Sequence, residues 1–355
     1  MSDKSIIEWT DATWNPITGC SVVSAGCKHC YAMMLAGTRL QHHPSRAGLT
    51  VDTKAGPVWT GEVRLNSEWL DQPIRWARQR MVFVCAHADL FHESVPDEWI
   101  DTIFGVMWAC LYGCGEQDGH IFQVLTKRAE RMRDYFRIDR REAWARAAVN
   151  YGGGTDPDGL WDQVVDFDGP HPRVWLGVSV EDQKAADERI PMLLDTPAAV
   201  RWISAEPLLG PINLRAIEHP NYSVLADVLS GIDSRGTGWA ENIQPGPTLD
   251  WVVIGGESGP LSRPMHPHWA RSLRDQCAAA GTPFMFKQWG EFSGADGITA
   301  KARDWKMVAD DGRTLLDAGS TANMGPVIHM AKIGKKAAGR LLDGIEHNGF
   351  PIISK

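Results

Sequence analysis

The feature that most constrains the fold is an alternation of short apolar runs with helical patterns. Each run spans four to six residues, is rich in β-branched and aromatic side chains, and is nearly continuous in its apolar character. Such runs are typical of strands that are buried on both faces, and the helices between them can act as crossovers of a parallel sheet. The runs predicted to be strands are 81–85, 120–125, 174–178, 200–204, 251–254 and 283–286.

Helical patterns lie between several of these runs, over residues 98–111, 183–194 and 268–280. Six or more strand–helix repeats predict an α/β protein with a partial or full (β/α) barrel of parallel strands. A doubly wound open sheet is the alternative. The barrel is expected to span residues 1–290, with residues 291–355 forming a C-terminal cap. Two long connections rich in glycine and proline, 138–172 and 215–250, are predicted to be irregular insertions.

Charge and apolar content limit the classes of function. The chain of 355 residues carries a net charge of −8 at pH 7, which disfavours a protein that coats nucleic acid through bulk electrostatics but allows a local basic groove. No apolar run is long enough for a transmembrane helix, and the first residues lack a secretory pattern, so a cytoplasmic protein without a membrane partner is expected. In that reducing compartment the seven cysteines are unlikely to form a disulfide framework.

Polar residues follow each predicted strand. In a parallel barrel the carboxyl ends of the strands collect the catalytic groups, so six such ends indicate a functional site. The residues concerned are His87, Asp89, Thr126, Lys127, Arg128, Ser179, Glu181, Asp182, Glu206, Glu257, Ser258, Lys287 and Gln288.

Three cysteines near the N-terminus are the predicted metal ligands. Cys27 and Cys30 form a Cys-x-x-Cys pair, and Cys20 precedes that pair by six intervening residues. Three thiolates can hold a four-iron cluster that leaves one iron open, whereas structural zinc requires a fourth ligand. The zinc alternative therefore remains open, with a histidine among His29, His42 and His43. A thioredoxin-like pair and three unligated thiols are further alternatives, and the remaining cysteines are predicted to be core residues: Cys85, Cys110, Cys114 and Cys277.

A cysteine loop that ends Cys-x-x-Cys-Tyr after the first strand of a barrel resembles the radical S-adenosylmethionine superfamily. The whole chain more closely resembles a phage-borne and bacterial group known as the three-Cys-motif family. The phrases that carry this resemblance are residues 9–16, 176–182, 204–210, 255–259 and 286–290. The superfamily usually has three residues between its first two cysteines, and here there are six.

The resemblance implies a [4Fe-4S] cluster that binds S-adenosylmethionine, a reducing electron donor such as flavodoxin, and a 5′-deoxyadenosyl radical that abstracts hydrogen from a substrate. We assign the cluster to the three cysteines and the cofactor to residues beside them or at the nearby strand ends. The expected cofactor-binding residues are His29, Asp89, Lys127, Ser179 and Glu181. The later strand ends are expected to supply catalytic residues, namely Glu206, Glu257 and Lys287.

The substrate expected from the resemblance is a modified nucleobase or nucleic acid. Hypermodification of phage DNA, by an isomerase or a lyase, suits radical chemistry. Arg128, Arg131 and Arg133, together with a basic run at residues 334–340, could bind the phosphate backbone, although a solvated helix face explains them equally well. Two alternatives remain: a radical enzyme that acts on a peptide or small metabolite, and a zinc-stapled nucleic-acid-binding protein without catalysis.

Overall fold

A computed structural model describes residues 5–114, 118–152, 154, 156–219, 222–233, 245–294, 304–314 and 326–352 of the chain. The chain divides into two compact units. One comprises Met1–Val178, Asp195–Arg201 and Ile352–Lys355, and the other comprises Ser179–Leu194 and Trp202–Pro351.

The strands of the first half of the chain are, in order, β1 (Ala12–Trp14), β2 (Ile17–Thr18), β3 (Thr50–Thr53), β4 (Gly56–Trp59), β5 (Arg64–Leu65), β6 (Met81–Val84), β7 (Ile121–Thr126) and β8 (Val174–Ser179). Those of the second half are β9 (Val200–Ala205), β10 (Ile217–His219), β11 (Tyr222–Asp227), β12 (Ile232–Asp233), β13 (Trp251–Gly255), β14 (Phe284–Gln288), β15 (Phe292–Gly294), β16 (Trp305–Ala309) and β17 (Val327–Lys332). The helices are α1 (Tyr31–Gly37), α2 (Asp97–Leu111), α3 (Ala129–Phe136), α4 (Arg141–Gly152), α5 (Pro157–Val165), α6 (Gln183–Leu194), α7 (Pro267–Ala280) and α8 (Lys335–Ala338).

The main sheet has the strand order β1-β6-β7-β8-β9-β13-β14. The pairs β1–β6, β6–β7, β7–β8, β9–β13 and β13–β14 are parallel, and the spatial order follows the order along the chain without a reversal. A doubly wound sheet reverses its strand order at a switch point, so this topology is that of a partial (β/α) barrel and excludes the doubly wound alternative. The described chain is therefore a mixed α/β protein, as predicted.

The apolar runs form strands because both of their faces are buried. All six residues of β8 and all five of β13 are buried, which explains why these runs do not alternate between apolar and polar residues. Each of the six predicted strands is present within two residues of its predicted bounds, and the three predicted helices are α2, α6 and α7. Helix α7 begins at Pro267 and is capped by Gly281 in the left-handed region, as the helix-boundary residues predict.

The prediction that residues 138–172 are irregular is wrong. Helices α4 and α5 occupy most of this segment, and their apolar side chains form a buried cluster with Trp108 of α2. Glycine and proline residues of this segment lie at a helix end. At the start of α5, Asp156 accepts a hydrogen bond from the Gly159 amide, and Pro157 occupies the first turn.

The segment 215–250 contains the antiparallel sheet β10-β11-β12, and its residues 220–221 and 234–244 lie outside the described ranges. Within residues 291–355, strands β15, β17 and β16 form another antiparallel sheet. No helix in the described ranges is long and apolar enough to cross a membrane.

Candidate functional site

The cysteine loop begins directly after β2 and is fixed at its start by Gly19. The Gly19 amide donates to the carbonyl of His87, which follows β6. Gly19 has a φ of +95°, and a Cβ at this position would lie 2.2 Å from the Glu62 carbonyl oxygen, so only glycine fits without displacement of the backbone. The loop therefore leaves the sheet at a defined point, one residue before Cys20.

The Cys-x-x-Cys pair lies at the start of α1. Cys27 ends a 3₁₀ turn, its carbonyl accepts a hydrogen bond from the Cys30 amide, and Cys30 is the cap residue of the helix. The side chains of Cys20 and Cys30 both pack against one apolar cluster. That cluster consists of Ala32, Met33, Ala36, Leu49 and Trp59.

Cys30 lies within electrostatic reach of both Cys20 and Cys27. Burial raises the pKa of Cys20 to about 12, and the charges of Asp89 and Cys30 act in the same direction. Burial also raises the pKa of Cys30, and the charge of Cys27 contributes to that increase. The charge of Arg128 acts to lower the pKa of Cys20, and the charge of Lys127 acts to lower the pKa of Cys30. The two cations therefore favour the thiolate forms of these cysteines.

Arg128 connects Cys20 to the ends of β6 and β7. Its buried guanidinium donates to the Cys20 sulfur at 3.5 Å and to the Asp89 carboxylate at 3.0 Å, both from Nη1. Nε donates to the two oxygens of Glu93 at 3.0 and 3.1 Å, and Nη2 donates to the Ser21 hydroxyl at 2.7 Å. One side chain thus holds the cysteine loop against two carboxylates.

Asp89 is saturated with hydrogen bonds. Its Oδ1 accepts from the Thr126 hydroxyl at 2.6 Å and from the Phe91 amide at 3.0 Å. Its Oδ2 accepts from the Lys127 amide and from Arg128, each at 3.0 Å. Because all four donors belong to the chain, Asp89 acts as a positioning residue that joins β7 to Arg128 rather than as a free ligand for a cofactor.

Ser21 and His92 complete this network. The Ser94 amide donates to Nδ1 of His92 at 3.1 Å, so the neutral ring carries its proton on Nε2, which lies 3.0 Å from the Ser21 hydroxyl. Burial, followed by the charge of Arg128, lowers the pKa of His92. Ser21 therefore accepts hydrogen bonds from both His92 and Arg128.

The donor types at the cysteine loop fit an iron–sulfur cluster, whereas the present arrangement of the side chains is that of free thiols. In the described part of the chain, no group of three or more histidine, cysteine or acidic side chains is arranged around a position for a metal ion. Binding of a cluster would require the thiols of Cys20, Cys27 and Cys30 to turn toward a common centre.

A second polar cluster lies in the second unit, at the carboxyl ends of β9, β13 and β14. Lys287 Nζ lies 2.8 Å from both oxygens of Glu206, and the Gln288 amide nitrogen donates to the same carboxylate at 3.2 Å. Gln288 also donates to the Gly256 carbonyl at 3.0 Å and to Ser258 at 3.1 Å. Glu206 and Lys287 are both largely buried, with 19% and 12% of their side chains exposed.

Gly256 allows the ends of β13 and β14 to approach closely. A Cβ on Gly256 would lie 2.0 Å from the carbonyl oxygen of Trp289. The middle glycine of the Gly-Gly-Glu phrase at residues 255–257 is therefore required by backbone packing at this point. Its acidic residue, Glu257, is buried and accepts hydrogen bonds from the Arg263 guanidinium and amide, each at 2.8 Å.

Some of the predicted site residues interact with one another in the structure, whereas others are paired with different side chains. In the first unit, Asp89 and Lys127 share a hydrogen bond, and Lys127 lies within electrostatic reach of Cys30. In the second unit, Glu206 and Lys287 form one pair, whereas Glu257 belongs to the Arg263 pair.

The two remaining predicted cofactor residues of the second unit share a structural partner. Arg189 donates to the Glu181 carboxylate at 2.9 Å and to the Ser179 carbonyl at 2.7 Å. In the first unit, His29 is half-buried, two residues before α1.

Sequence reasoning missed Ser21, His92 and Glu93, because their importance depends on the geometry of Arg128 and is not visible in any spacing. The prediction that Cys114 is a core residue is wrong, since its side chain is exposed after the end of α2. Cys85 and Cys277 are buried as predicted.

No curated protein and no solved structure shows significant similarity to the chain. A family model with the description "Protein of unknown function (DUF5131)" matches residues 4–351. Because this match covers nearly the whole sequence, the chain belongs to the DUF5131 family.

Proposed function

We propose that this protein is a radical S-adenosylmethionine enzyme in which Cys20, Cys27 and Cys30 hold a [4Fe-4S] cluster. The observation that carries the proposal is the pair of cations at the thiols: Arg128 hydrogen-bonds Cys20, and the charge of Lys127 acts on Cys30. When bound, such a cluster supplies the electron that cleaves the carbon–sulfur bond of S-adenosylmethionine. The residues of the chain provide binding, orientation and proton control.

Arg128 stabilises the deprotonated form of Cys20. A metal ligand must be a thiolate, and burial alone strongly disfavours that form here. The guanidinium offsets part of this cost because it donates a charge-assisted hydrogen bond to the sulfur. Asp89 keeps Arg128 in position, so the network supports the ligand without contacting the cluster itself.

Lys127 is the residue of the first unit best suited to bind the cofactor carboxylate. Its backbone is fixed by the hydrogen bond to Asp89, and its half-buried side chain acts electrostatically on Cys30. A cation beside the ligand loop is suited to the anionic end of an amino-acid cofactor. The roles of His29, Ser179 and Glu181 toward the cofactor remain part of the proposal, with Glu181 acting through Arg189.

On the substrate side, we assign proton handling to the Glu206–Lys287 pair. The 2.8 Å contacts allow a proton to pass between ammonium and carboxylate, and Gln288 holds one carboxylate oxygen in place. Glu257 is assigned a supporting role because Arg263 occupies its carboxylate.

For the substrate class we propose a modified nucleobase, presented free or within nucleic acid. The charges that could follow a long phosphate backbone are partly neutralised within the chain: Arg131 pairs with Asp97, and Arg133 lies 2.9 Å from Asp134. This favours recognition of a base over recognition of an extended strand. Reaction as an isomerase or lyase is the corresponding proposal for the chemistry.

The cluster is tested by purification without oxygen, followed by metal analysis and absorption spectroscopy. We expect a brown protein with absorption near ~400 nm and about four irons per chain. The variant C27A should lose both, whereas C114A, which removes an exposed cysteine away from the loop, should keep both. A colourless protein with stoichiometric zinc would refute the cluster. A brown protein that never releases 5′-deoxyadenosine when reduced with the cofactor would refute the radical chemistry.

A further inference from the structure

The first unit contains a further buried arginine, Arg46, besides Arg128 and Arg173. Arg46 is 3% exposed and lies in the turn-rich segment between α1 and β3. A buried guanidinium is costly unless a carboxylate or another anion balances its charge. Across the residues that the structure describes, Arg46 forms no ion pair with an acidic side chain, in contrast to Arg128.

The side chains that contact the Arg46 guanidinium are neutral. Nη1 donates to the Ser45 hydroxyl at 2.5 Å, Nη2 donates to Nδ1 of His87 at 2.8 Å, and the guanidinium carbon lies 5.8 Å from the centre of the Trp69 ring. Nε is buried and has no hydrogen-bond partner among the described atoms. The side chain therefore keeps both its full charge and an unused donor.

Ser45 and His87 both accept hydrogen bonds from Arg46, and both are neutral, so neither balances the charge of the guanidinium. The Ser45 hydroxyl donates a hydrogen bond to Nδ1 of His43 at 2.7 Å and accepts one from Nη1 of Arg46. His87 must be unprotonated on Nδ1 to accept from Arg46, and burial together with that cation lowers the pKa of His87 to about 4. The site is thus lined by donors and neutral acceptors.

A second cation increases the positive potential. Burial, and then the charge of Arg64, lowers the pKa of Arg46 to about 10, so the guanidinium stays charged at neutral pH. Arg64 itself donates to the carbonyls of Pro44 and Ala47 and brings no carboxylate to the site. Two arginines lie close enough to affect each other, and no acidic side chain within the described ranges is paired to Arg46. This environment favours an anion.

We propose that Arg46 anchors a binding site for a small oxyanion, either a phosphate group or a carboxylate. A guanidinium binds both through paired N–H donors, and the unused Nε donor lies on the same edge of the guanidinium as Nη2. Because the side chain is 3% exposed, the oxyanion must be compact, and it must bind Nε together with Nη2, where it meets His87. The site adjoins the start of the cysteine loop, because the His87 carbonyl accepts a hydrogen bond from the Gly19 amide, but its proposed ligand does not depend on a cluster.

The test is thermal unfolding of the full chain, without metal, at constant ionic strength. Chloride is the reference, phosphate and sulfate are the tetrahedral probes, and acetate and formate are the planar probes. We expect a saturable rise of Tm with one of these two classes, which identifies the source of the oxyanion. R46M should remove the response, and in chloride it should unfold no more easily than the wild type, because it removes an unbalanced charge.

The control is R39M, which removes an exposed arginine from the same segment and should leave the anion response unchanged. If R46M does not fold, R46K serves instead, since it keeps the charge but lacks the paired donors, and it should weaken binding about tenfold or more in calorimetric titration of the effective anion. Two results would overturn the proposal: a wild-type Tm that does not respond to either class, or an R46M variant that responds as the wild type does.

Discussion

Replacement of Asp89 by asparagine is the sharpest test of the network that holds the cysteine loop. The substitution keeps the shape of the side chain but removes the negative charge that faces Arg128. It also places an amide nitrogen where one carboxylate oxygen now accepts two hydrogen bonds. Either orientation of the amide sets N–H donors against the donors that remain, so the buried guanidinium loses its main counter-charge.

The magnitude follows from the burial of the two partners. The side chains of Arg128 and Asp89 are 5% and 7% exposed, so water does not screen their interaction. Glu93, the other carboxylate on Arg128, is 61% exposed and contributes little after solvent screening. Removing one member of a buried ion pair costs about 3–5 kcal/mol, and we expect D89N to lie in that range.

The assay is urea unfolding followed by tryptophan fluorescence, with R128M and the double variant D89N/R128M completing a cycle. The double variant should be more stable than the sum of the single losses predicts, with a coupling of about 2 kcal/mol. D71N is the matched control, because Asp71 pairs with Arg75 on the surface and should change stability by less than about 1 kcal/mol. A D89N loss no larger than that of D71N, or additive single losses, would refute the reasoning.

Three further predictions concern His87, Gly256 and Lys287. The pKa of His87 is about 4 in the folded chain and 6.5 in the unfolded chain, so the unfolded chain binds the proton first as the pH falls. The stability that His87 contributes above pH 6.5 is therefore lost as the pH approaches 4. Between pH 7 and pH 5 the free energy of unfolding should fall by about 2 kcal/mol because of His87. H87N, unfolded at both pH values, should show a smaller fall. A fall equal to that of the wild type would contradict the role of His87. In urea unfolding, G256A should destabilise the chain by about 2–3 kcal/mol, because the added Cβ meets the Trp289 carbonyl. The control G294A should cost less than about 1 kcal/mol, because its Cβ would meet no atom within 4 Å. K287M should abolish turnover of a radical substrate while leaving the iron content unchanged, and retained turnover would exclude the residue from proton handling.

The fold was largely predictable because its strands are buried on both faces. Runs such as the one that became β8 have no polar alternation, and this signal is strong even in a single sequence. Strand β1 was not among the predicted runs, since its three residues are too few to show a period. The sequence does not reveal helices α4 and α5, because the glycine and proline residues at their ends are also typical of irregular loops.

The candidate site was less predictable, because its organisation depends on long-range side-chain contacts. Asp89 and Lys127, which follow two of the predicted strands, are joined in the structure by a hydrogen bond. The sequence placed Arg128 beside them but did not show that its guanidinium would reach back 108 residues to Cys20. Contacts of that separation depend on the register of the sheet, which no local pattern contains.

The contrast between the buried arginines strengthens the case for an anion at Arg46. Arg128 is balanced by Asp89, and Arg189 by Glu181, so at these two positions a buried carboxylate accompanies the buried guanidinium. At Arg46 it supplies a hydroxyl, an imidazole and an indole ring. An arginine kept only for packing would not need neutral acceptors on two of its nitrogens. The geometry instead leaves one charge and one donor for a ligand from outside the chain.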